Sequence, residues 1–215
     1  MTNRSAQGKL ERVEKEFVRI GLLLQHDREL ASVTTIVVGA PIRGSWWGHP
    51  LGHELFDLLT AFERGEGALS GKWVNGKITY VHRRLWPAFL TLALHGERAR
   101  ARGLSTAANS LLRVVRRKEI VRVDELAASG FAPARELAAA VRELEERVLV
   151  HAGSIHTSTG VHTKVLQSWS RWASLEKRRR STCSLTDATA AFTAAVEMLR
   201  QGSPRRPRVP LLAGV

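Results

Sequence analysis

Three residues of this sequence could take part directly in a reaction: Asp27 in the run Gln25-His26-Asp27, His49 in the loop PIRGSWWGHPLG, and His82 in YVHRRLW. A carboxylate at position 27 could steady the cationic charge that develops on a deoxyribose ring, or orient a water for attack at the anomeric carbon. His49 or His82 could protonate a departing base, and His82, beside Arg83 and Arg84, could instead contact phosphate. Each residue also has a plainer reading. Asp27 would cap a helix end or face solvent, His49-Pro50 would form a capped helix entrance, and His82 would be an ordinary strand-end histidine.

Trp46 and Trp47 are consecutive, so in an extended chain they cannot both point to one core face, and Gly44 and Gly48 let backbone or ligand approach closely. An exposed tryptophan beside Arg43, His49 and His53 would suit stacking on a base, worth about 1–3 kcal/mol. The alternative packs both rings under the loop as core anchors. His49 and His53 stand at i and i+4, but there is no HExxH and no paired-cysteine pattern, so no metal site is expected. The phosphate loop GxxxxGKS, the dinucleotide fingerprint GxGxxG and the nucleophile elbow GxSxG are all missing. ATPase, dehydrogenase and serine-hydrolase chemistry lack their parts, and no cofactor is expected.

The charge balance points to a partner. Lys and Arg number 33 against 20 Asp and Glu, leaving +13 in 215 residues. The cations cluster: Arg98, Arg100, Arg102, Arg113, Arg116, Arg117, Lys118 and Arg122, then Lys177, Arg178, Arg179 and Arg180, then Arg205, Arg206 and Arg208. One such run is usually a solvated face. Three, with this excess, point to a polyanion held by phosphate contacts that release counterions. Double-stranded DNA is the expected partner and RNA the alternative, because Arg-rich tails and stacking tryptophans do not separate the two. Cys183, the lone cysteine, cannot form an internal disulfide, the charged N-terminus does not resemble a signal peptide, and no window approaches a membrane span. A cytoplasmic protein without a membrane partner is the expectation; oligomeric state is left open.

The elements that must position these residues follow from periodicity and turn chemistry. Leu10, Val13, Phe17, Ile20 and Leu24 trace one face of a helix that ends before Ala31, and the β-branched run Ser32–Val38 reads as a strand punctuated by Gly39 and Pro41. Leu55, Phe56, Leu58, Leu59 and Phe62 return to helical spacing, and Asn75-Gly76 predicts a two-residue hairpin turn. A helix opens near Pro87. Beyond it the order is helix 105–118, strand IVRV, helix VDELAAS, a Gly-Phe-Ala-Pro turn, helix 133–149 and the hairpin VHAGSIHTSTGVHTKVL.

This predicts a mainly α fold with short β-hairpins (α+β), and a winged helix-turn-helix module over 98–172. Region 1–97 would be a first module of the same kind in tandem, 173–201 a basic connector with a C-terminal helix, and 202–215 a disordered basic tail. Helix 133–149 carries Arg135, Arg142 and Arg147 against Glu136, Glu143, Glu145 and Glu146, a net acidic surface. It is therefore expected to lie poorly against phosphates. The wing, with His156, His162 and Lys164, or the helix bearing Arg113, Arg116, Arg117 and Lys118, is the expected contact surface.

The stretches LLLQHDRELASVTTIVVGAPIRGSWWGHPLGHELFDLL, GKWVNGKITYVHRRLWPAF and ELEERVLVHAGSIHTSTGVHTKVLQSW resemble a bacterial family of small winged-helix proteins of largely unknown function. The resemblance spans residues 21–172 and is most specific in GSWWGHPLGHE and VHRRLWPA. A more distant likeness is to the winged-helix DNA glycosylases that remove alkylated or crosslinked bases, whose active site uses Gln-x-Gln or Gln-x-Asp. Gln25 and Asp27 stand at that spacing, with His26 where the middle residue is usually apolar, and the chain is much shorter than those enzymes. This likeness implies Asp27 as the catalytic carboxylate and Gln25 as the group positioning water. Trp46 or Trp47 would then stack on an extruded nucleotide while His49 or His82 assists the leaving base. The competing expectation is a binder without catalysis: a transcriptional regulator, a nucleoid-associated protein or an RNA-binding factor.

Overall fold

Leu22–Leu24, three leucines that extend the first helical periodicity, form a strand instead. In the computed structural model, which describes residues 4–65, 67–156, 162–175 and 183–213, helix α1 runs Arg4–Ile20 and Leu22–Leu24 is β1. Gly21 makes the break. Its φ is +84°, its N–H reaches the Phe17 carbonyl at 2.8 Å, and a Cβ there would lie 2.7 Å from Leu85. All three leucines are buried, so the strand reads in sequence as an unbroken apolar run that periodicity cannot tell from helix.

The expected strand at Ser32–Val38 is likewise corrected: Val33–Val38 is helix α2. Both of its ends are chemically closed. The Ser32 hydroxyl accepts from the Thr35 N–H at 3.3 Å, and Gly39, at φ +84°, donates its N–H to the Thr35 carbonyl at 2.8 Å. The side-chain N-cap contributes about 1 kcal/mol, which offsets part of the few tenths that each of the six β-branched residues costs in a helix, and burial of Val33, Thr34 and Val37 adds to it. Val33, Thr34 and Val37 are buried, the i, i+1, i+4 pattern of a helix face that strict alternation would not give.

The remaining elements of this region are α3 (Gly52–Arg64), entered through a 3-10 turn at Trp46–Gly48, and the hairpin β2 (Ala68–Val74) and β3 (Lys77–His82). Asn75 and Gly76 have φ of 55° and 70°, the doubly left-handed turn that this dipeptide predicts. Then come α4 (Trp86–His95), α5 (Glu97–Arg100), α6 (Thr106–Lys118), β4 (Ile120–Arg122), α7 (Val123–Ala128) and α8 (Ala134–Glu146). The hairpin β5 (His151–His156) and β6 (His162–Gln167), α9 (Trp169–Leu175) and α10 (Leu185–Arg200) complete the list. The fold is mainly helical with short antiparallel strands, as expected.

Two compact units divide the chain: Met1–Trp86 with Thr189–Val209, and Pro87–Ala188 with Pro210–Val215. Each contains the same order of elements, namely a long helix, a 3-residue strand, a 6-residue helix, a 13-residue helix and a hairpin. Their three-stranded antiparallel sheets also share one order, β1-β3-β2 in the first and β4-β6-β5 in the second, with the last strand central.

In the first unit Phe17, Phe62 and Tyr80 form the centre of the core, meeting edge to face at centroid distances of 5.0 and 5.1 Å. In the second, Leu111, Leu112 and Val115 of α6 meet Leu137, Val141 and Leu144 of α8 beneath Val121 and Leu166 of the sheet. Each fully buried side chain of this size contributes about 1.5–3 kcal/mol. The stretch expected to be a loose tail is held down. Arg208 gives its N–H to the Asn75 side chain at 2.8 Å and its carbonyl to the Asn75 N–H at 3.0 Å, and Val209 is buried.

Candidate nucleic-acid interface

Helix α8 is placed by its apolar face, Leu137, Ala140, Val141 and Leu144, which goes into the core. The opposite face consists of Arg135, Ala138, Ala139 and Arg142, all exposed, at the i, i+3, i+4, i+7 spacing of one helical stripe. Two of the four glutamates that make the helix acidic in sequence are committed elsewhere. Glu143 pairs with Arg147 at 2.9 Å and accepts the Ser105 N–H at 3.3 Å. Glu145 is 5% exposed and is ion-paired with Lys164 of β6. Glu136 remains exposed beside the stripe, and Glu146 sits half-buried at the helix end. Neither Arg135 nor Arg142 makes an ion pair among the described residues. The expectation that this helix presents a net acidic surface is thus corrected by where its carboxylates go.

The other expected contacts separate in the same way. Lys164, expected on the wing, is half-buried and bound to Glu145, so its charge is spent inside the unit. His162 is exposed, His156 closes β5, and the hairpin tip lies outside the described residues, as do Lys177, Arg178, Arg179 and Arg180. On α6, Arg116 is paired with Glu97 at 2.7 Å and Arg113 donates to the Ser110 hydroxyl at 3.1 Å, while Arg117 and Lys118 are exposed. Arg116, Arg117 and Lys118 fill the last turn of α6, where cations also offset the negative end of the helix dipole.

In the other unit the four residues expected to act on a sugar do not share one place. Asp27 is 6% exposed. Its Oδ1 accepts the N–H groups of Glu29 and Leu30 at 2.8 and 3.0 Å, and its Oδ2 meets Lys77 Nζ at 2.6 Å. Burial pushes this carboxyl up, but the hydrogen bonds from Lys77 and the two backbone N–H groups outweigh it and hold it below its ordinary value of 3.8. Gln25 donates to the Tyr80 hydroxyl at 3.3 Å, and Tyr80 donates to Glu63 at 2.6 Å. Burial and this bond raise the Tyr80 pKa well above the usual phenol range.

His82 ends β3, the strand that Lys77 begins, so the two stand about 16 Å apart along the strand. Its Nδ1 accepts the Arg84 N–H at 3.3 Å, its ring meets Phe17 edge-on, and burial with the neighbouring Arg84 and Arg83 lowers its pKa. Arg83 and Arg84 are exposed, and Arg84 also donates to the Arg19 carbonyl at 3.1 Å. His49 closes its own turn, Nδ1 accepting the Leu51 N–H at 3.1 Å, and with Arg43 lines a hollow that Asp27 does not enter.

Trp46 is 9% and Trp47 58% exposed, so the two rings divide between core and solvent. They stack on each other at 4.3 Å, and Phe56, also exposed, lies 5.3 Å from Trp47. Sequence reasoning passed over Lys77 as the counter-ion of Asp27, because the pair is set by the hairpin register rather than by a local motif. Among the described residues no group of three His, Cys, Asp or Glu side chains could hold a metal ion, and no helix is long and apolar enough to cross a membrane. No protein-family model, no curated protein and no solved structure matches this chain.

Proposed function

We propose that the protein binds duplex DNA through the unit containing α8, a winged-helix module whose third helix enters the major groove, and that it acts as a binder rather than by breaking a bond. The observation that carries this reading is the exposed stripe Arg135, Ala138, Ala139 and Arg142. Seven residues of helix put the two arginines about 10 Å apart, roughly three base-pair steps along the duplex. The alanines between them allow close approach to base edges and phosphates. The element order and the β4-β6-β5 sheet support the module assignment, and the net charge of +13 supports a polyanionic partner. Duplex RNA fits less well, because its deep, narrow major groove does not admit a helix.

Base excision finds less support. It asks for Gln25, Asp27, His49 and His82 in one cleft, whereas Asp27 is bound by Lys77 and two backbone N–H groups and His82 stands at the far end of β3. The test is fluorescence anisotropy of labelled duplex DNA against the full chain at two salt concentrations. Arg135→Ala with Arg142→Ala is expected to weaken binding at least about tenfold and to flatten its salt dependence. An unchanged affinity would refute the assignment of α8.

A further inference from the structure

A hollow lined by charged side chains lies in the other unit, independent of the duplex reading. Asp27, Glu29, His26, Arg28, Lys77 and Arg205 line a hollow of about 290 Å³, just below the range usual for small-molecule sites. Three full positive charges face two negative ones, and the two carboxylates are not equivalent. Asp27 is locked by Lys77 and by two backbone N–H groups, so it belongs to the wall. Lys77 Nζ uses one of its three protons on Asp27 and is 48% exposed.

Glu29 is a loose neutraliser. Its distance to Arg205 is 3.6 Å, too long for a hydrogen bond, and both side chains are half exposed or more. Arg28 is exposed and spends only its Nε, on the Ile42 carbonyl at 3.4 Å, leaving its two terminal nitrogens without a hydrogen bond among the described residues. His26 is anchored through Nδ1 to the Thr34 hydroxyl at 2.9 Å, which leaves Nε2 as the ring nitrogen for a ligand.

We infer that this hollow binds a phosphomonoester group, with Arg28 and Arg205 gripping the oxygens and Lys77 and His26 completing the ring of donors. A tetrahedral dianion matches two guanidinium forks better than a single carboxylate does, and it displaces Glu29 from Arg205 instead of competing with the buried Asp27. The phosphate could come from a nucleic-acid 5′ end or from a free sugar phosphate, and the test separates the two.

Calorimetric titration of the full chain with inorganic phosphate should show saturable binding. Arg28→Ala and Arg205→Ala, both exposed changes, should each weaken it about tenfold without moving the unfolding temperature. Glu29→Gln should tighten it, an outcome that a merely structural role for these residues would not give. A 5′-phosphorylated oligonucleotide that displaces phosphate better than its 5′-hydroxyl twin identifies a nucleic-acid end as the source. Displacement by ribose 5-phosphate alone identifies a small metabolite. Absence of saturable phosphate binding, binding indifferent to all three substitutions, or failure of both competitors would overturn the proposal.

Discussion

Helix α8 exposes the stripe Arg135, Ala138, Ala139 and Arg142 with Glu136 beside it, while α3, which holds the same place in the order of its own unit, exposes His53, Phe56, Asp57, Glu63 and Arg64 with Trp47 beside it. The buried faces are alike: Leu137, Val141 and Leu144 in one, Leu55, Leu59 and Phe62 in the other. Element order and apolar spacing therefore decide which face of the third helix is turned outward, and leave open what that face carries. Surface positions away from caps and ion pairs change at a cost within about 0.5 kcal/mol. Two units of one topology can in this way hold a cationic stripe on small residues and an aromatic patch with a carboxylate at its edge.

The largest effects should fall on the shared part of the comparison. Leu55→Ala and Leu144→Ala remove fully buried side chains of α3 and α8, and each should cost about 2–5 kcal/mol in urea unfolding. A much smaller loss for one would mean that the two cores are not equivalent.

Asp27→Ala comes next, at about 1–3 kcal/mol, because it leaves Lys77 and two N–H groups without their acceptor. The Asp27 carboxyl is held below 3.8, so its contribution is complete above that pH and is lost as pH falls through the lowered value. The stability gap between wild type and Asp27→Ala, measured by thermal unfolding, should be constant from neutrality down to about pH 5 and close in stronger acid.

Lys164→Ala should cost about 1–2 kcal/mol by stranding the buried Glu145, a value reduced by the partial exposure of the lysine. A denaturant midpoint unaffected by this change would remove the ion pair from the account. The smallest effect is expected for Trp47→Ala and Phe56→Ala, which should leave duplex affinity within about twofold in anisotropy, since that face lies on the other unit. A tenfold loss would erase the functional contrast between the units.

Much of the second unit was legible from residue order. The helix over 105–118, the IVRV strand, the short helix after it and the long helix before the hairpin all follow from local spacing and turn chemistry. The Asn75-Gly76 turn was legible for the same reason. What escaped was decided at a distance. Leu22–Leu24 became a strand through pairing with Val81, Tyr80 and Thr79, and Arg208 is held by the side chain and the N–H of Asn75. The charge of α8 was misjudged because the count, which already set Arg147 against the glutamates, left out Lys164, 19 positions beyond Glu145, which neutralises one of them from β6. The two arginines were visible at heptad spacing, but their isolation depends on those pairs.

Hydrogen exchange of the full chain with and without duplex DNA tests the central claim most directly. Slowed exchange confined to the stretch 133–146 and the hairpin that follows it, absent from 52–64, is the predicted result. Protection centred on 52–64, or a pattern that DNA leaves untouched at concentrations where binding is saturated, would contradict it.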